Sequence, residues 1–180
     1  MIEDAVAREE RRVRIDTVDG AVEGSLRISP GLRTLDDLNL VAKRFVTIYS
    51  PKSLSETWQT GNGPLSVNKD LILFVRELSS PPLRAGGSFG SFTRAPVRLR
   101  VRHFEVEGFV HVPPGGSPMK RLDQGEHPFV SLTSVLVTSN DGEGTTPFLA
   151  VNRNRVTAAQ GVDHDQEAAA LCSADSRVER

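Results

Sequence analysis

The sequence predicts a mainly β protein made of two similar halves. Short runs in which apolar and charged residues alternate are typical of strands. The same motifs occur twice in the same order, and a stretch rich in Pro, Gly and Ser separates them. The chain has 180 residues, of which 38% are hydrophobic, which is enough for one ordinary domain or two small ones.

The internal repeat appears when the sequence is aligned with itself at an offset of 84 residues. Val13 to Val75 then lies over Val97 to Ala159 without a gap. Identical motifs share the same order, among them Val13-Arg14 with Val97-Arg98, Val22-Glu23-Gly24 with Val106-Glu107-Gly108, Phe45-Val46 with Phe129-Val130, and Val67-Asn68 with Val151-Asn152. We interpret the pattern as a tandem duplication and name the two segments copy one and copy two.

Three segments flank or join the copies. Glu3 to Arg12 is rich in Ala, Glu and Arg and predicts a short N-terminal helix. Ser79 to Pro96 predicts a linker, because its Pro, Gly and Ser content suits neither a helix nor a central strand. The predicted organisation is a domain over 1–78, a linker over 79–96, a domain over 97–162 and a polar tail over 163–180.

Copy one predicts a strand, a tight turn and a second strand at its start. Apolar and charged residues alternate over 13–17, Asp19-Gly20 is a hairpin signal, and small or apolar residues recur at every second position from Val22 to Ile28. A loop carries Leu35 to Asn39, where the acidic residues suit a helix cap or a turn. Phe45 opens a third strand, and the range 65–75 is the last.

Copy two predicts the same plan over 97–102, 106–112, 129–137 and 148–158. Gly24 and Gly108 fall in the middle of the second strand of each copy. Glycine weakens a strand interior, so its shared position predicts a sharp bend that lets a short sheet curl into a small barrel. Simple crowding at that site is the alternative.

These features resemble the Sm-like small barrels. The resemblance rests on a short N-terminal helix, a strand ending in Asp-Gly, and a strand with a mid-strand Gly, followed by Asn39 and the late segment 67–72. More closely, each copy resembles an uncharacterised bacterial domain family of this type, through Glu23-Gly24, Pro30, Leu35 to Asn39, Phe45 and Asn68-Lys69-Asp70. The resemblance implies two tandem Sm-like barrels. It carries no established activity.

Composition and motifs bound the function. The formal net charge is -1, so nucleic acid or anionic lipid would need a local patch. The longest apolar run, 71–75, is far short of a membrane span, and the expectation is a cytoplasmic protein without membrane insertion. The single Cys172 excludes an intramolecular disulfide. No catalytic motif is present, so we expect no enzyme, cofactor or metal; Asp163-His164-Asp165 reads as a solvated tail.

The strongest charge feature is a row of arginines at Arg94, Arg98, Arg100 and Arg102. With a period of two, the last three share one face while Val97, Leu99 and Val101 point to the core. Such a row suits phosphate contacts or an acidic protein surface. Aromatic residues make up only 6% of the chain, which leaves few platforms on which bases could stack.

The function expected from these observations is a non-enzymatic assembly or adaptor subunit. Its partners would be protein subunits of a larger complex, or further copies of itself, bound through strand edges and loops. An RNA-binding Sm-like protein that uses the arginine row is the alternative. Glycines 24 and 108 are predicted bends, and no catalytic, cofactor or metal residue is assigned.

Overall fold

The computed structural model describes residues 8–55, 61–78 and 92–162. Within these ranges the protein forms strands, two short helices and two single 3₁₀ turns. The elements in chain order are β1 (Glu9–Thr17), β2 (Ala21–Ile28), α1 (Thr34–Leu38), β3 (Phe45–Ser53), β4 (Leu65–Asn68), a 3₁₀ turn (Lys69–Leu71), β5 (Ile72–Glu77), β6 (Thr93–Val101), β7 (Phe104–Val112), α2 (Pro118–Asp123), β8 (Phe129–Ser139), β9 (Gly142–Asn152), a 3₁₀ turn (Arg153–Arg155) and β10 (Ala158–Gly161). The prediction of a mainly β protein is confirmed.

All strands of the described chain join one antiparallel sheet in the order β10-β6-β7-β8-β9-β5-β1-β2-β3-β4. The order β5-β1-β2-β3-β4 in copy one is the same as β10-β6-β7-β8-β9 in copy two. The pairing of β5 with β9 joins the two halves. Strands β4 and β10 lie at the ends of the sheet, so this pairing does not close either half into a complete ring of strands.

Each half has its own hydrophobic core, and each core borrows residues from the other half. Phe129 and Ala150 of copy two are buried in the cluster formed mainly by copy one. Leu73 and Phe74 of copy one are buried in the cluster formed mainly by copy two. The two halves therefore share apolar contacts across the β5 and β9 pair, beyond the hydrogen bonds between the strands.

The N-terminal helix predicted over Glu3 to Arg12 is wrong for its last four residues. Glu9 to Arg12 belong to β1 and pair with β2, where Glu9 lies opposite Ile28. The side chain of Arg11 is buried and pairs with Glu9 at 2.7 Å. Pairing with the full length of β2 thus outweighs the helical propensity of a charged segment. Residues 1–7 lie outside the described part of the chain.

The linker predicted over 79–96 extends too far at its end. Strand β6 begins at Thr93 and includes Pro96, because the partner strand β7 continues to Val112 and lies opposite Thr93. Phe92, the residue before β6, is 51% exposed. The rest of the linker, with Phe89, and the tail from Asp163 onward lie outside the described residues.

The last predicted strand of each copy is two strands separated by a 3₁₀ turn. Asn68 ends β4, and its side-chain oxygen accepts a hydrogen bond from the backbone N–H of Asp70 at 3.0 Å. Asn152 ends β9 and accepts from Asn154 at 3.1 Å in the same way. An Asn side chain that caps a turn interrupts the extended backbone, so a continuous run of β-forming residues conceals two elements.

Short helices replace part of the predicted loops before β3 and β8. The acidic residues of α1 act as expected for a cap: the Asp36 carboxylate accepts from the Arg33 backbone N–H at 3.0 Å. The hydrogen bond between the Arg33 guanidinium and the Asp36 carboxylate, at 3.1 Å, raises the pKa of Arg33. The Asp37 carboxylate pairs with Lys43 at 2.7 Å. These residues stabilise the turn rather than form a carboxylate site.

The mid-strand glycines lie where the sheet changes register. The β2 and β3 pairing shifts between Glu23 and Ser25, and the β7 and β8 pairing shifts on either side of Gly108. A Cβ at position 24 would lie 2.4 Å from Ile48 Cγ2, and one at Gly108 would lie 3.0 Å from a valine methyl. Irregular pairing and close packing occur together there, so the crowding weighed as an alternative is present at both sites.

Candidate functional site

The junction between the halves shows how the strand edges of this fold combine. Val75 lies opposite Ala150 in the pairing of β5 with β9, with Phe74 opposite Val151 and Arg76 opposite Leu149. The pairing is short, and every apolar residue in it is buried. The junction is therefore a paired strand edge whose apolar side chains are buried.

Phe129, the first residue of β8, anchors the junction. Its side chain is only 3% exposed and packs in the core of copy one. The Asn39 side chain holds its backbone: Nδ2 donates to the Phe129 carbonyl and Oδ1 accepts from the Phe129 N–H, both at 3.0 Å. An apolar ring in a pocket and a paired backbone beside it fix the position of copy two against copy one.

The turns at the ends of the strands add a second set of contacts. Asn152 Nδ2 donates to the carbonyls of Lys69 at 3.2 Å and Ile72 at 2.9 Å. The side chain of Arg155 donates to the Asp70 carbonyl at 2.6 Å. Copy two therefore satisfies backbone carbonyls of the first 3₁₀ turn, which has few internal hydrogen bonds of its own.

A basic residue supports the helix end in each half. Lys69 Nζ donates to the Leu40 carbonyl at 2.9 Å, and its corresponding residue Arg153 reaches the carbonyls of Leu122 and Asp123 at 3.4 Å. Burial is the main cause that lowers the pKa of Lys69. These cations serve backbone carbonyls after α1 and in α2, which is a structural role.

The outer edges of the sheet are β4 and β10. The backbone N–H of Lys69, just after β4, donates to the Arg44 carbonyl on the side of β3. The backbone N–H of Val162, just after β10, donates to the Pro96 carbonyl on the side of β6. Because N–H groups alternate along a strand, the N–H groups of Ser66 in β4 and Ala159 in β10 point away from the sheet. Both edges thus present backbone groups that no described strand pairs.

Apolar surface accompanies both outer edges. Phe45, at the start of β3 beside β4, is 51% exposed. Beside β10 lies an open groove of about 340 Å³, whose apolar lining includes Met119, Leu122 and Val156. These three residues are only partly buried. An edge with adjoining apolar surface is typical of a protein-binding site.

The predicted alternation is confirmed within β6, since Val97, Leu99 and Val101 are buried while Arg98 and Arg100 are exposed. The prediction is wrong for Arg102, which follows the end of β6 and lies in a turn with a φ of 57°. Each predicted arginine already has a partner in the protein. These partners are Ser134 for Arg94 at 2.9 Å, Glu107 for Arg98 at 2.7 Å, Glu105 for Arg100 at 2.5 Å, and the Val18 carbonyl for Arg102. The two glutamates offset the positive charge of the row.

The other candidate groups are dispersed. His103 stacks on Phe104, with ring centroids 4.0 Å apart, and His111 contacts the Thr133 hydroxyl at 3.2 Å. The described residues contain no group of three or more His, Cys, Asp and Glu side chains that could hold a metal ion. Cys172 and Asp163-His164-Asp165 lie outside those residues. No helix in the described ranges is long and apolar enough to cross a membrane.

Two residues of the junction, Phe129 and Asn152, are repeated in copy one. Phe45 and Phe129 are identical residues at corresponding positions, as are Asn68 and Asn152. The repeat predicts a strand start and a turn in each copy, but it does not show which surfaces of the two copies face each other. Comparison of the chain with protein-family models, curated proteins and solved structures gives no match.

Proposed function

We propose that this protein is a non-enzymatic assembly or adaptor subunit that binds protein chains through β4 and β10. The observation that carries the proposal is the junction between β5 and β9, which shows two strand edges of this fold sealed by pairing and apolar contacts. In the repeat, the outer strand β4 corresponds to the end of β9, and the outer strand β10 corresponds to β5. A strand from a partner would complete their backbone hydrogen bonds.

The halves are proposed to be tandem barrels of the Sm-like type. Three features support this: the repeated strand order, a separate core in each half, and register shifts at Gly24 and Gly108. Ser50 and Ser134, which lie 84 residues apart, both have positive φ angles, 49° and 50°, so the irregularity itself is repeated. Strong local coiling of this kind lets a short sheet wrap around a small core.

A protein partner suits the surface better than RNA. Glu105 and Glu107 pair with Arg100 and Arg98, so phosphate binding would require breaking these ion pairs. The arginine side of β6 offers no unbroken positive field, and the formal net charge of the chain is -1. Attraction of the phosphate backbone depends on such a field.

The proposal is tested by removing the outward N–H of each edge. Ser66→Pro and Ala159→Pro each delete one outward donor, whereas Ser66→Ala and Ala159→Ser keep it. We expect a protein that co-purifies with the native chain to be lost with the proline variants and retained with the matched controls. Circular dichroism confirms that each variant folds. Retention of the partner by both folded proline variants would overturn the proposal.

A further inference from the structure

We propose that a second copy of this chain occupies the two outer edges, with Phe45 of one molecule seated in the groove beside β10 of the next. This inference rests on the proposed function and names its partner. The argument compares each part of the internal junction with the corresponding part of the outer edges, which the offset of 84 residues identifies.

Phe45 is the outer counterpart of Phe129. Both open the third strand of their half, and both lie opposite an Asn that ends the next strand. Phe129 is 3% exposed because copy one covers it, whereas Phe45 is 51% exposed. The fold therefore carries one aromatic anchor in use and one at the surface.

The groove beside β10 is the counterpart of the pocket that holds Phe129. In copy one, Leu38 and Ile72 are fully buried in the core that contains Phe129. Their counterparts, Leu122 and Val156, line the open groove of about 340 Å³ and are only partly buried. The groove is thus the same place in the fold without its phenylalanine.

The strand edges match in the direction of their hydrogen bonds. At the internal junction Val75 lies opposite Ala150, and their counterparts are Ala159 in β10 and Ser66 in β4. The N–H groups of both counterparts point outward, as derived above from the bonds of Val162 and Lys69. The same antiparallel register therefore places Ala159 of one molecule opposite Ser66 of the next.

The polar contacts are repeated in part, with two differences. Asn68 corresponds to Asn152 and would donate to the carbonyls of Arg153 and Val156, just as Asn152 donates to those of Lys69 and Ile72. Asp123 replaces Asn39. Its carboxylate can accept from the Phe45 N–H but cannot donate to the Phe45 carbonyl. Leu71 corresponds to Arg155, so the hydrogen bond that the Arg155 side chain donates to the Asp70 carbonyl has no counterpart either. The outer junction therefore keeps the anchor and loses two hydrogen bonds.

The resulting contact is head to tail, because the surface around β4 and the surface around β10 are different. A contact of this kind leaves one unused edge at each end of every oligomer. Association then continues until the rotation closes a ring, or it produces an open filament. The arrangement distinguishes this inference from a two-fold dimer, which would bury the same edge on both molecules.

Sedimentation velocity over a range of concentrations tests the anchor. We expect the wild type to form oligomers, and Phe45→Ala to weaken their association about tenfold or more, since it removes an apolar ring from a dry contact. Phe92→Ala is the matched control, because Phe92 is also 51% exposed, and it should leave association unchanged. Asp123→Asn should strengthen association by restoring one of the two missing donors.

Cysteine cross-linking tests the register. In a Cys172→Ser background, Ser66→Cys and Ala159→Cys made on separate molecules should form a disulfide-linked dimer when mixed and oxidised, because opposed residues in antiparallel strands lie within disulfide reach. Gly161→Cys in place of Ala159→Cys should cross-link much less. Each cysteine variant oxidised alone measures the background of cross-links that random collisions produce.

A wild type that stays monomeric at high concentration, or equal effects of Phe45→Ala and Phe92→Ala, would overturn the self-pairing. If that monomer still captures a different protein that Ser66→Pro and Ala159→Pro release, the self-pairing fails while the proposed function stands. If neither self-association nor an edge-dependent partner is found, both fail.

Discussion

The two mid-strand glycines occupy corresponding positions under different degrees of crowding. A Cβ at Gly24 would lie 2.4 Å from Ile48 Cγ2 and 2.7 Å from the Tyr49 carbonyl oxygen, whereas at Gly108 the nearest contacts are 3.0 Å and 3.3 Å. Contacts below 3.0 Å to backbone oxygen require the strand to move. β3 therefore approaches β2 more closely at Gly24 than β8 approaches β7 at Gly108.

We therefore expect Gly24→Ala to lower the free energy of unfolding by about 2–3 kcal/mol and Gly108→Ala by about 1 kcal/mol. Urea denaturation of the two variants beside the wild type measures both values. Equal costs at the two positions would show that the close approach at Gly24 relaxes without penalty.

Lys69 gives a pH dependence whose sign follows from its burial. Burial lowers its pKa in the folded protein below the ordinary value of 10.5, so the unfolded chain binds the proton more tightly. The free-energy cost of burying the charged ammonium group is fully present below the folded pKa, and it is relieved as the pH rises towards 10.5. We expect the unfolding free energy of the wild type, relative to that of Lys69→Met, to rise between pH 7 and pH 10.5. A constant difference across that range would contradict this.

Asn39, the residue that follows α1, belongs to the junction, and its side-chain amide makes two hydrogen bonds to the backbone of Phe129. Asn39→Asp keeps the acceptor and leaves the Phe129 carbonyl without its donor. We expect a loss of about 1–2 kcal/mol in the free energy of unfolding. Asp123→Asn is the matched control: in the monomer it should leave stability within about 0.5 kcal/mol of the wild type.

Strand β6 allows a test of the RNA alternative. Changing Arg98, Arg100 and Arg102 together to Gln removes the row and its exposed ion pairs, each of which contributes less than about 1 kcal/mol. We expect no measurable binding of single-stranded RNA near physiological salt by fluorescence anisotropy, before or after the change. Wild-type binding that weakens with salt at a log–log slope of roughly -2, and disappears in the variant, would favour RNA instead.

The sequence predicted the strands and turns whose positions depend on the local residue pattern. The start of β3 at Phe45 and the turn at Asp19-Gly20 agree with the structure. The helix extending to Arg12 was wrong because the pairing of β1 with β2 is a tertiary effect that propensity does not contain. The junction also escaped prediction, because the burial of Phe129 depends on β5 meeting β9, a contact between segments distant in sequence.

The shared cores predict that the whole molecule unfolds as one cooperative unit. Phe129 completes the core of copy one, and Phe74 completes that of copy two, so unfolding either half exposes apolar surface of the other. We expect thermal unfolding followed by calorimetry and by far-ultraviolet circular dichroism to give coincident transitions. Phe129→Ala should shift both together; separate midpoints would show independent halves.

The fusion of two halves in one chain also has a numerical consequence. If β4 and β10 pair between molecules as proposed, every closed assembly contains an even number of halves, and two kinds of seam alternate around it. The seam within a chain has Asn39, and the seam between chains has Asp123 in the corresponding place. The weaker seams would open first, so such an assembly would exchange whole chains. The concentration of the chain would then set the equilibrium between small and large assemblies.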